Sequence, residues 1–236
     1  MRVSSSEFEL PPKGNSAIVP VLDHNIIFGA GSSGTKLYRS GLKRFFETTL
    51  VILTAPVTVP FILLLALLVS LDGGRPFYTQ KRVGLGGRVF RIWKLRTMVI
   101  DADARLQAHL ASNPDAQIQW LRTQKLKQDP RVTPIGRILR KISLDELPQL
   151  LNVLNGTMAL VGPRPMMLDQ QSIYLGGAYY RLRPGITGPW QVSERNESEF
   201  VARVRYDEAY ERDMSFAGDL SIMARTVAVV LRATGY

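Results

Sequence analysis

The chain has 236 residues, 45% of them hydrophobic, and a formal net charge of +10 from 30 Lys and Arg against 20 Asp and Glu. Such a balance implies an anionic partner, whether nucleic acid, an acidic membrane face or a phosphorylated substrate, and leaves that choice to the motifs. The sequence contains no cysteine, which excludes a disulfide framework and a thiolate metal site.

Residues 1–35 read as a flexible N-terminal segment rich in Ser, Gly and Pro. The run Gly29-Ala-Gly-Ser-Ser-Gly34 matches G-x-G-x-x-G by letter. A dinucleotide site would also need a βαβ unit and an acidic residue at the end of a second strand, and an apolar segment follows instead. Residues 36–72 form that second region. Thr48 to Leu71 is free of charge over 24 residues, and as a straight helix it would reach ~36 Å, enough for a ~30 Å hydrocarbon core. Two features favour re-entry over a span. Pro56 and Pro60 each remove a backbone donor, leaving the carbonyls of Ile52 and Pro56 short of a partner, with Thr54 and Thr58 near enough to compensate. Both flanks are basic, with Lys36, Arg39, Lys43 and Arg44 before and Arg75, Lys81, Arg82 and Arg88 after, which places both ends in the cytoplasm. The expectation is a re-entrant helix that breaks at Ala55-Pro56 and returns; a bitopic span with a proline kink is the alternative.

Residues 73–236 read as one further domain. Phe77-Tyr-Thr79 and Val89 to Trp93 alternate like short strands around the turn Gly84-Leu-Gly-Gly87. Asp101 to Ser112 reads as a polar helix stopped at Asn113-Pro114, Ile118 to Lys127 as a second, and Ile135 to Lys141 as a short basic one. Leu144, Leu147, Leu151 and Leu154 recur at helical spacing before Gly156. Residues 157–195 read as loop, Glu199 to Arg212 as a charged helix, and Asp219 to Arg232 as a last helix with an apolar stripe. The predicted fold is α+β, mainly helical with short strands, joined to one membrane helix.

The chemistry concentrates around Ser143-Leu-Asp-Glu146. One reading is a capping box, with Ser143 as N-cap and Glu146 reaching back; Pro148 makes Asp145 an alternative N-cap. Either register puts two carboxylates at the positive end of a helix, which would lower the Asp145 pKa and keep it ionised. Arginines in loops surround this stretch: Arg164 held between Pro163 and Pro165 and then Arg183, with Gln191 and Arg195 following and Lys94 and Arg96 upstream. Arginine forks match phosphate oxygens, and proline-fixed backbone lowers the entropy cost of presenting them.

Three motifs carry a family resemblance: Ser143-Leu-Asp-Glu-Leu-Pro-Gln149, Leu160-Val-Gly-Pro-Arg-Pro165 and Arg183-Pro-Gly-Ile-Thr-Gly188. Lys94-Leu-Arg96 precedes them and Tyr206-Asp-x-x-Tyr210 follows, in the order of the family. From about residue 40 onward the chain resembles bacterial sugar transferases of the monotopic phosphoglycosyl transferase superfamily, the short exopolysaccharide type. The resemblance implies a catalytic domain on the cytoplasmic face of the bacterial inner membrane. It implies transfer of a hexose-1-phosphate from a UDP-hexose to polyprenyl (undecaprenyl) phosphate, with release of UMP. Asp145 would be the nucleophile and would hold a Mg²⁺, Glu146 would handle the acceptor's proton, and Lys94, Arg96, Arg164, Pro165, Arg183, Gln191 and Arg195 would bind substrate. Ala55-Pro56 would be the membrane helix break. Charge supports the metal, since an anionic nucleophile meets an anionic diphosphate.

The sequence departs from the family pattern at Ala55, where Ser is usual, at Thr157 and Ala159, and at Glu194; these bear on sugar choice more than on chemistry. Inner-membrane lipid is an implied partner, and downstream glycosyltransferases and a homo-oligomer are compatible with the reading. A non-catalytic membrane-bound assembly protein of the same fold is the competing function. Nucleic acid is not expected, given the long apolar run and the lack of an aromatic–basic RNA motif. His24 and His109 stand alone in polar surroundings and receive no role.

Overall fold

The computed structural model describes residues 37–71, 73–123, 126, 128–193 and 200–231. The N-terminal segment 1–35 and Arg195 lie outside the described residues, as do Lys36, Glu194 and Arg232.

A π-helical turn, Tyr38–Leu42, leads into α1, Lys43–Ser70, a single helix of 28 residues. Pro56 and Pro60 lie inside it, so the helical conformation is not divided at Ala55-Pro56. Both prolines sit on the exposed side, where a missing donor costs one backbone bond and no packed neighbour. The Thr54 hydroxyl does not go to the freed carbonyl of Ile52; it donates to Leu50 O (2.9 Å) and Val51 O (3.2 Å). Val51, Ala55, Thr58, Ile62, Leu65 and Val69 form the inner stripe, buried at both ends and half-buried in the middle. The outer face is apolar and open, with Leu53 72% and Val57 75% exposed.

Both ends of α1 are tied to the following domain. At the N-terminal end Arg44 donates to Val153 O and Leu154 O, and Val161 N donates to Glu47 Oε1 (3.1 Å). Lys43 bridges Glu47 and Asp219, and the hydroxyls of Tyr38 and Tyr210 both donate to Asp219 (2.7 Å each). At the C-terminal end Leu65, Ala66 and Val69 pack with Leu95 and Leu139, and Arg96 Nη2 donates to Val69 O (3.0 Å).

The domain begins with an antiparallel hairpin, β1 (Phe77–Val83) and β2 (Val89–Leu95), in register Phe77↔Leu95 to Val83↔Val89. Gly86 and Gly87 supply the positive φ its turn requires. Then come α2 (Ala102–Ser112), α3 (Pro114–Thr123) and α4 (Pro134–Lys141). Thr133 caps α4 by accepting from Gly136 N, with Pro134 at the first helical position.

The stretch expected to open a helix at Leu144 is instead a 3₁₀ segment, Leu144–Gln149, and the α-helix α5 covers only Leu150–Leu154. Pro148 has no N–H for an i→i−4 bond, so the regular helix starts beyond it. Ser143 makes no side-chain cap and takes a left-handed backbone (φ 56°), so the expected capping box does not form.

Over residues 157–193 the expected loop holds regular structure that lacks a strand-like alternation. β3 (Ala159–Val161) and β4 (Gly185–Thr187) pair in parallel, with α6 (Ala178–Arg181) between them and α7 (Pro189–Ser193) after. Two terminal helices, α8 (Arg203–Asp213) and α9 (Phe216–Leu231), close the domain. The structure is thus mainly helical with short strands, as the sequence suggests.

Candidate active site

The site is built where β2, the 3₁₀ segment and the loop after β3 meet. Lys94, near the end of β2, donates from Nζ to Glu146 Oε1 at 2.7 Å and lies 3.9 Å from Asp145 Oδ2. Arg164 follows β3, and its Nη2 is 3.8 Å from Glu146 Oε1. Its loop is fixed by close backbone crossings: Gly162 N donates to Thr187 O (2.9 Å) and Gly185 N to Pro163 O (2.8 Å). A Cβ on Gly185 would lie 2.2 Å from Gly162 N, and one on Gly162 would lie 2.4 Å from Arg183 O. Only glycine fits these crossings, whatever its φ. Past the half-buried Pro165, Met166 O accepts from Val83 N (3.0 Å), and the Tyr179 hydroxyl accepts from Met166 N (2.9 Å) and donates to Val83 O (2.6 Å).

Asp145 is only 9% exposed. Burial raises its pKa; Lys94 lowers it, Glu146 raises it and Arg140 lowers it, in descending order. The helix-terminus argument, which predicts a lowered value, therefore fails: no full α-helical turn starts at Asp145, and desolvation outweighs the nearby cations. Desolvation leaves a less hydrated and hence more reactive oxygen, provided that positive charge keeps it ionised.

Lys94 and Arg164 thus meet the carboxylate pair, and the other expected ligands go elsewhere. Arg96 donates to three carbonyls, Arg75 O (2.8 Å), Met98 O (3.0 Å) and Val69 O (3.0 Å), and ties β2 to the end of α1. Arg183 donates to Gly156 O (3.0 Å) at the end of α5, beside Arg44. Gln191 is buried, donating to Ile186 O (2.8 Å) with its Oε1 unpartnered. Among the described residues no group of three or more His, Cys, Asp or Glu is gathered for a metal. Two adjacent carboxylates still fit Mg²⁺, which is commonly held by one or two carboxylates together with substrate phosphates and water.

The comparisons with known proteins bear on this constellation. The model of the bacterial sugar transferase family matches residues 38–233. The chain belongs to that family. This sugar transferase is 43% identical, over 82% of its own length and 87% of the relative's, to the exopolysaccharide production protein ExoY of Sinorhizobium fredii. It is 42% identical to the undecaprenyl-phosphate galactose phosphotransferase of Salmonella typhimurium, again over 82% of its length but only 41% of that protein. It is 40% identical over 80% of its length to the UDP-glucose:undecaprenyl-phosphate glucose-1-phosphate transferase of Caulobacter vibrioides, covering 69% of it.

Three cations of the sugar transferase's site escape the sequence reading. Arg140, on α4, donates to Thr97 Oγ1 (2.8 Å) and acts electrostatically on Asp145. Arg82, on β1, is buried within reach of Glu146 and Arg164. Arg203, the first residue of α8, lies 4.1 Å over the Trp190 ring and within reach of Arg164 and Arg82. In sequence they look like ordinary flank and helix charges; no motif isolates them.

Proposed function

We propose that this sugar transferase moves a hexose-1-phosphate from a UDP-hexose to undecaprenyl phosphate at the cytoplasmic face of the inner membrane. The observation that carries it is the buried Asp145–Glu146 pair, flanked by Lys94, Arg140 and Arg164 and connected through β2 to an exposed apolar helix. An oxygen of Asp145 attacks the sugar-bearing phosphorus, the bond from that phosphorus to the bridging oxygen breaks, and UMP departs with the oxygen. An oxygen of the lipid phosphate then attacks the same phosphorus and releases Asp145, with Glu146 taking any acceptor proton. Lys94 and Arg164 offset the charge that gathers on the phosphoryl oxygens. Asp145, with Glu146 beside it, would hold Mg²⁺, which supplies further neutralisation of the diphosphate.

The same reading includes a re-entrant α1. A straight 28-residue helix is ~42 Å long. As a span it would separate Glu47 and Val69 across a ~30 Å hydrocarbon layer, yet one domain holds both, through Val161 and Arg96. A helix that bends where Pro56 and Pro60 weaken its bonding satisfies both attachments from one side.

The test is UMP release by the purified protein in lipid nanodiscs against a panel of UDP-sugars, with Asp145→Asn as control. Turnover by the wild type and its loss in a folded Asp145→Asn protein are expected. Wild-type turnover in that variant would remove Asp145 as nucleophile, and no release from any UDP-sugar would favour a non-catalytic assembly role.

A further inference from the structure

On the Pro-Arg-Pro side of the carboxylate pair, three arginines flank one buried cluster: Arg82 precedes Val83, Arg164 comes two residues before Met166, which accepts from Val83 N (3.0 Å), and Arg203 precedes Val204. Arg82 is 8% exposed and donates to the neutral Gln80 Oε1 (2.6 Å). The Arg203 guanidinium lies over Trp190 and 4.8 Å from the Phe200 ring centroid, and its buried Nε has no hydrogen-bond partner. Arg164 reaches Glu146 only at 3.8 Å. Burial and then Arg164 lower the proton affinity of Arg82 and of Arg203, the latter to about 10; a guanidinium is a permanent cation in proteins.

The acids nearby are already engaged. Glu146 Oε1 accepts from Lys94. Asp207 accepts from the Tyr174 hydroxyl (2.8 Å), and burial pushes its pKa up to about 7. Cations held out of water without matching anions cost free energy that the fold recovers only when an anion enters. The aromatic planes of Trp190 and Phe200 hold Arg203 in one orientation, and a fork so fixed loses little entropy on binding a phosphate.

We propose that Arg82, Arg164 and Arg203 form an anion site beside Asp145–Glu146 that binds a substrate phosphate group other than the one under attack. That group is the UMP-side phosphate of the donor or the charged oxygens of the lipid acceptor, which present the same chemistry. The inference rests on the transferase reading above. Lys94 bonds Glu146 and lies 3.9 Å from Asp145, and Arg164 approaches the same Glu146 oxygen to 3.8 Å. A diphosphate can therefore bridge the two, with its attacked phosphorus at Asp145 and its neighbour at the arginines.

The experiment uses the full chain in nanodiscs and the variants Arg82→Gln and Arg203→Gln. Equilibrium binding of UDP, UMP, inorganic phosphate and uridine is measured, together with the KM of a polyprenyl phosphate. Each variant should bind UDP, UMP and inorganic phosphate at least about tenfold more weakly, the loss of one charge-assisted contact, with uridine affinity unchanged. Loss confined to the nucleotides and inorganic phosphate assigns the donor side. A raised KM for polyprenyl phosphate alone assigns the acceptor side. Wild-type values for every phosphate-bearing probe and for KM in both variants would overturn the proposal. Should Arg203→Gln fail to fold, Arg203→Lys keeps the charge and loses the stacked fork, and an affinity between wild type and Arg82→Gln is expected. Absence of UMP release by the wild type would instead remove the transferase reading, and the phosphate-binding comparison would still decide the site.

Discussion

Arg96 offers the sharpest separation of scaffold from ligand contact, because the family motif places it beside Lys94 and the structure commits it to backbone. Its guanidinium donates to Arg75 O, Met98 O and Val69 O. Val69 is in the last turn of α1, where carbonyls lack intrahelical partners, so Arg96 caps the apolar helix from the end of β2. The guanidinium also packs on Gly74, where a Cβ would approach its central carbon to 2.6 Å. Arg96→Lys keeps the charge but can maintain one of the three bonds. Two lost charge-assisted bonds, at ~1.5 kcal/mol each after allowing for partial exposure, predict destabilisation of about 3 kcal/mol. For a chain of this size that corresponds to roughly 6–12 °C in the thermal midpoint. The assay is thermal unfolding in nanodiscs, paired with the KM for the UDP-sugar well below the transition. The expected result is a lowered midpoint and an unchanged KM. A tenfold rise in KM with an unmoved midpoint would show that Arg96 binds substrate and would refute the capping argument.

Gly185→Ala should disable the enzyme without touching a charge: the new Cβ would lie 2.2 Å from Gly162 N and 2.4 Å from Thr187 O. A cost of about 2 kcal/mol or more and a displaced Arg164 loop are expected, read as lowered stability and lowered kcat, and wild-type values for both would contradict the crossing described. Asp207 sets a pH dependence of stability. Its pKa is about 7 when folded against 3.8 unfolded, so the stability it contributes is full below about pH 4 and is lost as pH rises through 7. Asp207→Asn should remove that slope, worth on the order of 4 kcal/mol, and leave the variant more stable than wild type at pH 8 in denaturant titrations; parallel pH profiles for the two proteins would count against it. Cysteines introduced at Ser5 and Ser221 should both resist an impermeant thiol reagent on intact cells until lysis, and labelling of position 5 alone from outside would establish a span.

How much of this was legible in advance varies with the range of the interactions. The uncharged run 48–71, the hairpin around Gly84–Gly87 and the last helix follow from local composition and periodicity, and the structure has each of them. The Asp145–Glu146 pair, Lys94 and Arg164 were also readable as residues of one site, because the motifs keep them in a recognisable order, and the ion pairs between them are the structure's addition. The β3–β4 pair was not: three-residue strands show no alternation, and their pairing depends on glycines brought together from positions 162 and 185. Nor were the different fates of the arginines. Arg82, Arg96, Arg164, Arg183 and Arg203 are one residue type, and nothing local distinguishes a guanidinium that caps a helix from one that faces a carboxylate.

The sequence by itself thus determined the family, the apolar helix and the carboxylate pair, since each depends on neighbours along the chain. The tertiary structure alone decided that Asp145 is buried enough to raise its pKa against the expected helix-end effect. It also decided that Arg96 and Arg183 serve backbone carbonyls while Arg82, Arg164 and Arg203 flank one buried cluster around Val83 and Met166. Desolvation and charge pairing depend on which atoms exclude water and which face one another across the fold, and sequence spacing does not encode either distance directly.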